Sequence, residues 1–189
     1  MPADSGFDEV RYTAVSELKD VMAAVDAAQM HALVKALLEA RSIFTAGAGR
    51  SGLAMRGFAM RLMHLGLRVN VIGDVLATAL AAGDLLVVGS GSGSTPTLVT
   101  LCGKACSLGG SIALLTTDPD STIARMASVV VTVPAPTPKR PAGGRSSAQP
   151  MASLFEQSLW LLLDASIALL MREQGETAEQ MFARHANLE

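Results

Sequence analysis

The chain has 189 residues, 50% of them hydrophobic and 17% charged, with a formal net charge of −2 at pH 7. This length and apolar content fit one domain, residues 1–189, able to fold without disulfide or metal staples. The slightly acidic balance argues against a broad nucleic-acid-binding surface, because polyanion binders carry a basic excess, so any phosphate bound here is expected to be small.

The first residues, Met1 to Asp8, are acidic with no basic-then-apolar pattern, so no secretory leader and a cytoplasmic location are expected. Val10, Ala14, Leu18, Val21 and Val25 form a stripe at helical spacing, predicting a helix over about 7–25. Met30, Leu33, Val34, Leu37 and Leu38 form a second stripe, which opens a core expected to run from about 30 to 172. From Ser42 onward short β-rich runs take over: Ile43–Thr45, Val69–Ile72, Leu85–Val88, Ile112–Leu115 and Val129–Val133. Helical stretches separate them, at Leu53–Leu65 closed by Gly66 and at Pro96–Leu108 closed by Gly109, with a shorter helix after Ser121. Strands that are almost continuously apolar and alternate with helices imply an α/β fold whose mostly parallel sheet is covered on both faces.

Cys102 and Cys106, four residues apart in the second of these helices, make neither a disulfide framework nor a zinc-ligand set and are expected as small buried side chains. The stretch Pro134–Pro150 combines several prolines with Lys139, Arg140 and Arg145, and reads either as a plain connector or as a mobile cover over an anionic ligand. Met151–Met171 is apolar enough to evoke a membrane span, but Glu156, Gln157 and Asp164 point to a core or interface helix, with no membrane partner. Thr177–Gln180 matches a capping box and opens a tail helix within 176–189.

Two loops carry the chemistry. Ala46–Gly52 follows the first strand and contains Gly-x-Gly-x-x-Gly, which in that position is compatible with a dinucleotide site, Asp74 serving as the ribose-binding acid. Ser90-Gly91-Ser92-Gly93-Ser94-Thr95 follows the third strand and opens another helix, and a nicotinamide enzyme has no standard use for it. Hydroxyls, unhindered N–H groups and a helix N-terminus together suit a phosphate dianion. Either loop alone is ordinary turn material, whereas two at the carboxyl ends of parallel strands converge on the crevice where such sheets bind ligands.

Through Phe44–Gly52, Phe58–His64, Gly89–Gly93, Leu154–Glu156 and Arg184–Glu189, the chain resembles the sugar isomerase (SIS) domain family and, within it, the 6-phospho-3-hexuloisomerases. The resemblance implies a three-layer α/β/α sandwich with a five-stranded, flavodoxin-like doubly wound sheet plus extra N- and C-terminal helices. It implies interconversion of D-arabino-hex-3-ulose 6-phosphate and D-fructose 6-phosphate, with a small phosphorylated sugar as partner and no metal or nucleotide cofactor. Substrate contacts are implied at Ser51 and along Ser90, Gly91, Ser92, Gly93, Ser94 and Thr95, the catalytic base at Glu156, and a homotetramer with sites at subunit interfaces. Two departures stand out: Ser94 and Asp74 occupy positions where the family usually has Glu.

Moving a ketone between adjacent carbons needs one well-placed base, and helical spacing puts Glu156 on a face with Trp160, Leu163 and Ile167. Apolar surroundings of that kind tune a carboxylate toward general-base work, whereas a purely structural Glu there would be paired to an Arg. Among the three histidines, His31 reads as surface and His64 as a helix-end cation favoured by the dipole. His185 reads either as tail packing or as a second catalytic group that moves protons in a neighbouring subunit's site. Arg50 is a candidate to neutralise phosphate or polarise a substrate oxygen. The alternatives are another SIS-type sugar-phosphate isomerase or a non-catalytic sugar-phosphate sensor.

Overall fold

The computed structural model describes residues 5–136 and 146–188. Lys139, Arg140 and Arg145 of the Pro-rich stretch, and Glu189, lie outside the described residues. Helices α1 (Ser5–Ala24) and α2 (Ala27–Glu39) come first, and the carboxylate of Asp26 caps α2 by accepting the Ala28 N–H at 2.8 Å. Strands β1 (Ile43–Gly47), β2 (Val69–Val71), β3 (Leu85–Gly89), β4 (Ser111–Thr116) and β5 (Val129–Thr132) then alternate with α3 (Gly49–His64), α4 (Pro96–Ser107) and a 3-10 turn at Ala124–Met126. The chain ends with α5 (Ser153–Gln174) and α6 (Ala178–Phe182).

All five strands are parallel, in the order β2-β1-β3-β4-β5. Side chains alternate along each strand and feed two clusters. Ile43, Val87, Leu115 and Val131 join α2, α3 and α5 on one face, whereas Phe44, Leu86, Val88, Ile112 and Leu114 join α4 on the other. Each fully buried aliphatic of this kind contributes roughly 1.5–3 kcal/mol relative to exposure. The three-layer reading therefore holds, and the sheet is wholly parallel.

Three local expectations change. Helix α3 starts at Gly49 instead of Leu53, so Arg50, Ser51 and Gly52 form its first turn. The helix expected after Ser121 is a 3-10 turn of three residues. Cys102 is buried, with its thiol pushed up to about 11 by burial and by Cys106, whereas Cys106 is exposed on the outer side of α4.

Helix α5 is long and apolar enough to cross a membrane, but half of its apolar window is buried inside the fold (50%), where it packs on α1, α2 and α3. Its uniform apolarity reflects contact on several sides, as expected of a core helix.

Candidate active site

Strand β1 pairs with β3 in register from Ile43 with Leu85 to Gly47 with Gly89. From β1 the chain passes through α3 outward to β2, and from β3 through α4 the opposite way to β4. The carboxyl ends of β1 and β3 therefore flank the switch point of the sheet, where a crevice forms.

On one side of the crevice the Gly-x-Gly-x-x-Gly run serves close packing of β1 against α3. A Cβ on Gly52 would lie 2.7 Å from the Gly47 carbonyl oxygen, too close for any side chain. Asp74, the acid a dinucleotide site would need, forms an ion pair with Arg56, which also donates to it through Nη1 at 3.3 Å. Gly47 and Gly52 thus have packing work that needs no dinucleotide, and Asp74 already has a protein partner.

On the other side, the Ser90–Thr95 loop is held from behind by residues after β4. The hydroxyls of Thr116 and Thr117 donate to the Gly91 carbonyl at 3.1 and 2.8 Å, and the Ile123 N–H donates to the Gly93 carbonyl at 3.0 Å. Gly93 has φ +55°, and a Cβ there would lie 2.0 Å from Ser121 Oγ. Within the loop, Ser94 Oγ donates to the Ser92 carbonyl at 3.0 Å. Ser90 and Ser51 are buried, Ser92 and Thr95 half-buried, and Ser94 exposed.

Neither helix that leaves the crevice caps its own N-terminus with a side chain. The N-cap of α3 is Ala48, and the hydroxyl of Thr95 makes no capping bond to α4, whose first residue is Pro96. Their first-turn N–H groups and positive dipole ends remain directed at the crevice, an arrangement that favours an anion.

The first turn of α5 closes the site. A Cβ on Gly91 would meet the Phe155 ring at 3.2 Å, so the loop rests on α5, and the next residue, Glu156, accepts a hydrogen bond from Arg50 Nε. The Glu156 side chain is 17% exposed and borders a cavity of about 300 Å³ lined by Arg50, Leu53, Ala54, Glu156, Gln157 and Trp160. The surroundings differ from the apolar face expected from spacing: Leu163 and Ile167 are buried below, and the carboxylate meets a guanidinium across an otherwise apolar wall. Sequence reasoning missed Thr116, Thr117 and Ser121 as loop supports, although hydroxyls directly after a β-run repeat the signal that marked Ser90–Thr95.

The expected second catalytic group, His185, lies elsewhere, against His64. His64, at the far end of α3, is roughly 20 Å from Arg50 by the rise of an α-helix. His185 stacks on it with ring centroids 5.3 Å apart, so His185 does not reach Glu156 of its own chain. Arg184 Nη1 donates to the His64 carbonyl at 2.9 Å and pairs with Glu176, docking the tail there. His64 is not the expected helix-end cation: burial, with Arg61 and His185 adding, pushes its pKa below the ordinary 6.5. His31 is exposed, as expected. Among the described residues no three His, Cys, Asp or Glu side chains gather to hold a metal ion.

A family model described as SIS domain matches residues 36–161. A Bacillus subtilis protein named 3-hexulose-6-phosphate isomerase is 43% identical over 175 residues, covering 93% of this chain and 95% of its own length. A Mycobacterium gastri protein of the same name is 44% identical over 173 residues, covering 92% and 86%. The crystal structure of a Methanococcus jannaschii protein, from which a 3-hexulose-6-phosphate isomerase function was inferred, superposes with a TM-score of 0.81 at 28% identity, covering 98% of this chain and 99% of that one. Two glycine- and serine-rich turns at the switch point of a 2-1-3-4-5 parallel sheet, closed by a helix bearing a carboxylate, agree with these matches, and the chain belongs to the SIS domain family, in its 3-hexulose-6-phosphate isomerase branch.

Proposed function

We propose that this protein interconverts D-arabino-hex-3-ulose 6-phosphate and D-fructose 6-phosphate, with Glu156 as the base. The observation that carries the assignment of roles is the position of Glu156 in a cavity beside a loop and two helix N-termini suited to phosphate; its Arg50 partner is the pairing a structural Glu would also make, so the cavity and not the pair carries the reading. Ser51, Ser90, Gly91, Ser92, Gly93, Ser94 and Thr95 hold the 6-phosphate, and this binding supplies the positioning energy. Glu156 removes the proton on C2 of the hexulose. Electrons move into a C2–C3 double bond and leave O3 as an enediolate oxygen. A proton passes from O2 to O3, and Glu156 returns its proton to C3, leaving the ketone at C2. Arg50 leaves its ion pair with Glu156 to meet the enediolate oxygens, freeing the base as negative charge develops on the substrate.

His185 moves the proton between the oxygens from a neighbouring subunit, since in its own chain it lies at the far end of α3. A homotetramer with sites at its interfaces fits the outer face of α3 and α5, where Leu53 is 63% and Trp160 45% exposed beside the cavity. A cytoplasmic location follows from a metabolic role of this kind.

The test generates the hexulose phosphate in place from formaldehyde and ribulose 5-phosphate with a synthase and follows fructose 6-phosphate. Glu156→Gln is expected to lower kcat on the order of 10³-fold while sugar-phosphate binding persists. Full activity in Glu156→Gln would remove Glu156 from the chemistry. A folded wild type that binds sugar phosphates without turnover would make the protein a sensor.

A further inference from the structure

Glu156 stands on the first turn of α5, and no side chain of α5 caps that turn. The N-cap is Ala152, which has no capping side chain. Just before it, Met151 holds φ +56°, the one positive φ at a non-glycine among the described residues. A methionine stays in the left-handed region only where its surroundings over-determine it. The Pro150 carbonyl accepts the Ser153 N–H at 3.1 Å, and the Ala152 carbonyl accepts the Glu156 N–H at 3.0 Å, so Glu156 is tied to the Met151 turn by consecutive main-chain bonds.

What holds this turn comes from the opposite end of the sequence. Glu17, in α1, accepts the Ser147 hydroxyl at 2.7 Å and the Gln149 side-chain amide at 3.1 Å on Oε2, and the Ala148 N–H at 2.7 Å on Oε1. Ser147 Oγ in turn accepts the Gln149 N–H at 2.9 Å. Burial alone would raise the Glu17 carboxyl, yet the bonds from Ala148, Ser147 and Gln149 outweigh it and hold the group below the usual carboxylate range. Helix α1 also packs directly on α5, so the clasp is anchored to the helix it positions. A carboxylate with both oxygens engaged by one short segment acts as a rigid anchor for that segment.

We propose that Glu17 is a positioning residue for the reaction: by clasping Ser147, Ala148 and Gln149 it fixes the Met151 turn, and with it the height and rotation of the α5 turn that presents Glu156. The proposal rests on Glu156 being the base. Glu17 is not among the residues that line the cavity at Glu156, so its loss displaces the base without weakening the phosphate loop, and the effect falls on kcat.

Trp160, the only tryptophan in the chain, lies one helical turn beyond Glu156 on the cavity wall and reports directly on that turn. Glu17→Gln is expected to lower kcat roughly ten- to a hundredfold, to leave KM within about twofold, and to shift Trp160 emission. Ser147→Ala, a milder change, is expected to move kcat and emission in the same direction by less. Combined with Glu17→Gln it should add little, because both open one clasp. Should Glu17→Gln not fold, Ser147→Ala carries the test alone. Faster exchange of the Ala148 amide in either variant with kcat and Trp160 emission unchanged would overturn the proposal. So would a loss of turnover matched by an equal loss of folded protein. Glu156→Gln, run alongside, separates the outcomes: if it retains activity the base assignment has failed, and if it alone is inactive the Glu17 proposal has failed.

Discussion

The two ends of the sheet are built on opposite rules. At the amino ends of the strands, polar groups are closed on one another. The buried Asp84 carboxylate takes Arg41 through both oxygens at 3.0 Å and the Ala81 N–H at 2.8 Å, and Arg184 occupies the last carbonyl of α3. At the carboxyl ends, α3 and α4 begin without side-chain caps, and hydroxyls cluster beside them. Closed hydrogen bonds stabilise the fold and leave nothing for a ligand, whereas open N–H groups cost stability until an anion arrives. Substitutions at the carboxyl end should therefore affect activity more than stability, and those at the amino end the reverse.

Glu156→Gln is the extreme case, with a large loss of kcat and a nearly unchanged melting temperature. The clasp variants of Glu17 come next. Gly93→Ala marks the limit of the contrast, because at this carboxyl-end position the backbone is strained for other residues and a Cβ would press on Ser121, so stability falls together with activity. It should cost about 2–3 kcal/mol of stability and raise KM steeply through the displaced loop, read by thermal melting and steady-state kinetics. Asp84→Asn at the other end should cost about 2 kcal/mol and leave kcat and KM unchanged. A kcat effect from this substitution would break the division between the two ends. Asp84 is held below the ordinary carboxylate range by the hydrogen bond from Arg41, against burial and with help from Ala81, Ser42 and the Arg41 charge. Its contribution is thus present above the unfolded carboxyl pKa and is lost as pH falls through the lower folded one.

The smallest expected effect is at His64. Its folded pKa lies below 6.5, so the unfolded chain binds the proton more readily, and stability should fall as pH drops from 6.5 toward that lower value. Above 6.5 both states are neutral and the effect is absent; below the lower folded value it is complete. Melting the wild type and His64→Gln across this range should show the slope in the wild type only, together with earlier release of the tail.

The sheet was legible because buried parallel strands leave continuous apolar runs, and Gly66 and Gly109 close helices for a local backbone reason. The start of α3 was not, because its N-cap is an alanine and Gly49 and Gly52 look like loop. Glu156 stood out through its motif, but its pairing with Arg50 crosses 106 residues and leaves no periodic trace. The Glu17 clasp crosses still more of the chain, from the middle of a helix that reads only as amphipathic. His64 shows the limit of a local rule: the dipole at a helix end is visible in sequence, whereas the burial that overrides it is tertiary.

The Glu17 clasp also sets a timetable for synthesis. Gln29 of α2 accepts the Thr132 N–H at 2.7 Å, and among the described residues α1 packs chiefly on α5 while its Glu17 bonds the segment before that helix. On a ribosome adding about 5–20 residues per second, the amino-terminal helices wait roughly ten seconds for those partners to be made. During that interval Leu18, Val21, Leu33 and Leu37 have no core to enter. Truncation before α5 should therefore yield aggregate in place of a smaller folded protein, read by the soluble yield of the shortened chain.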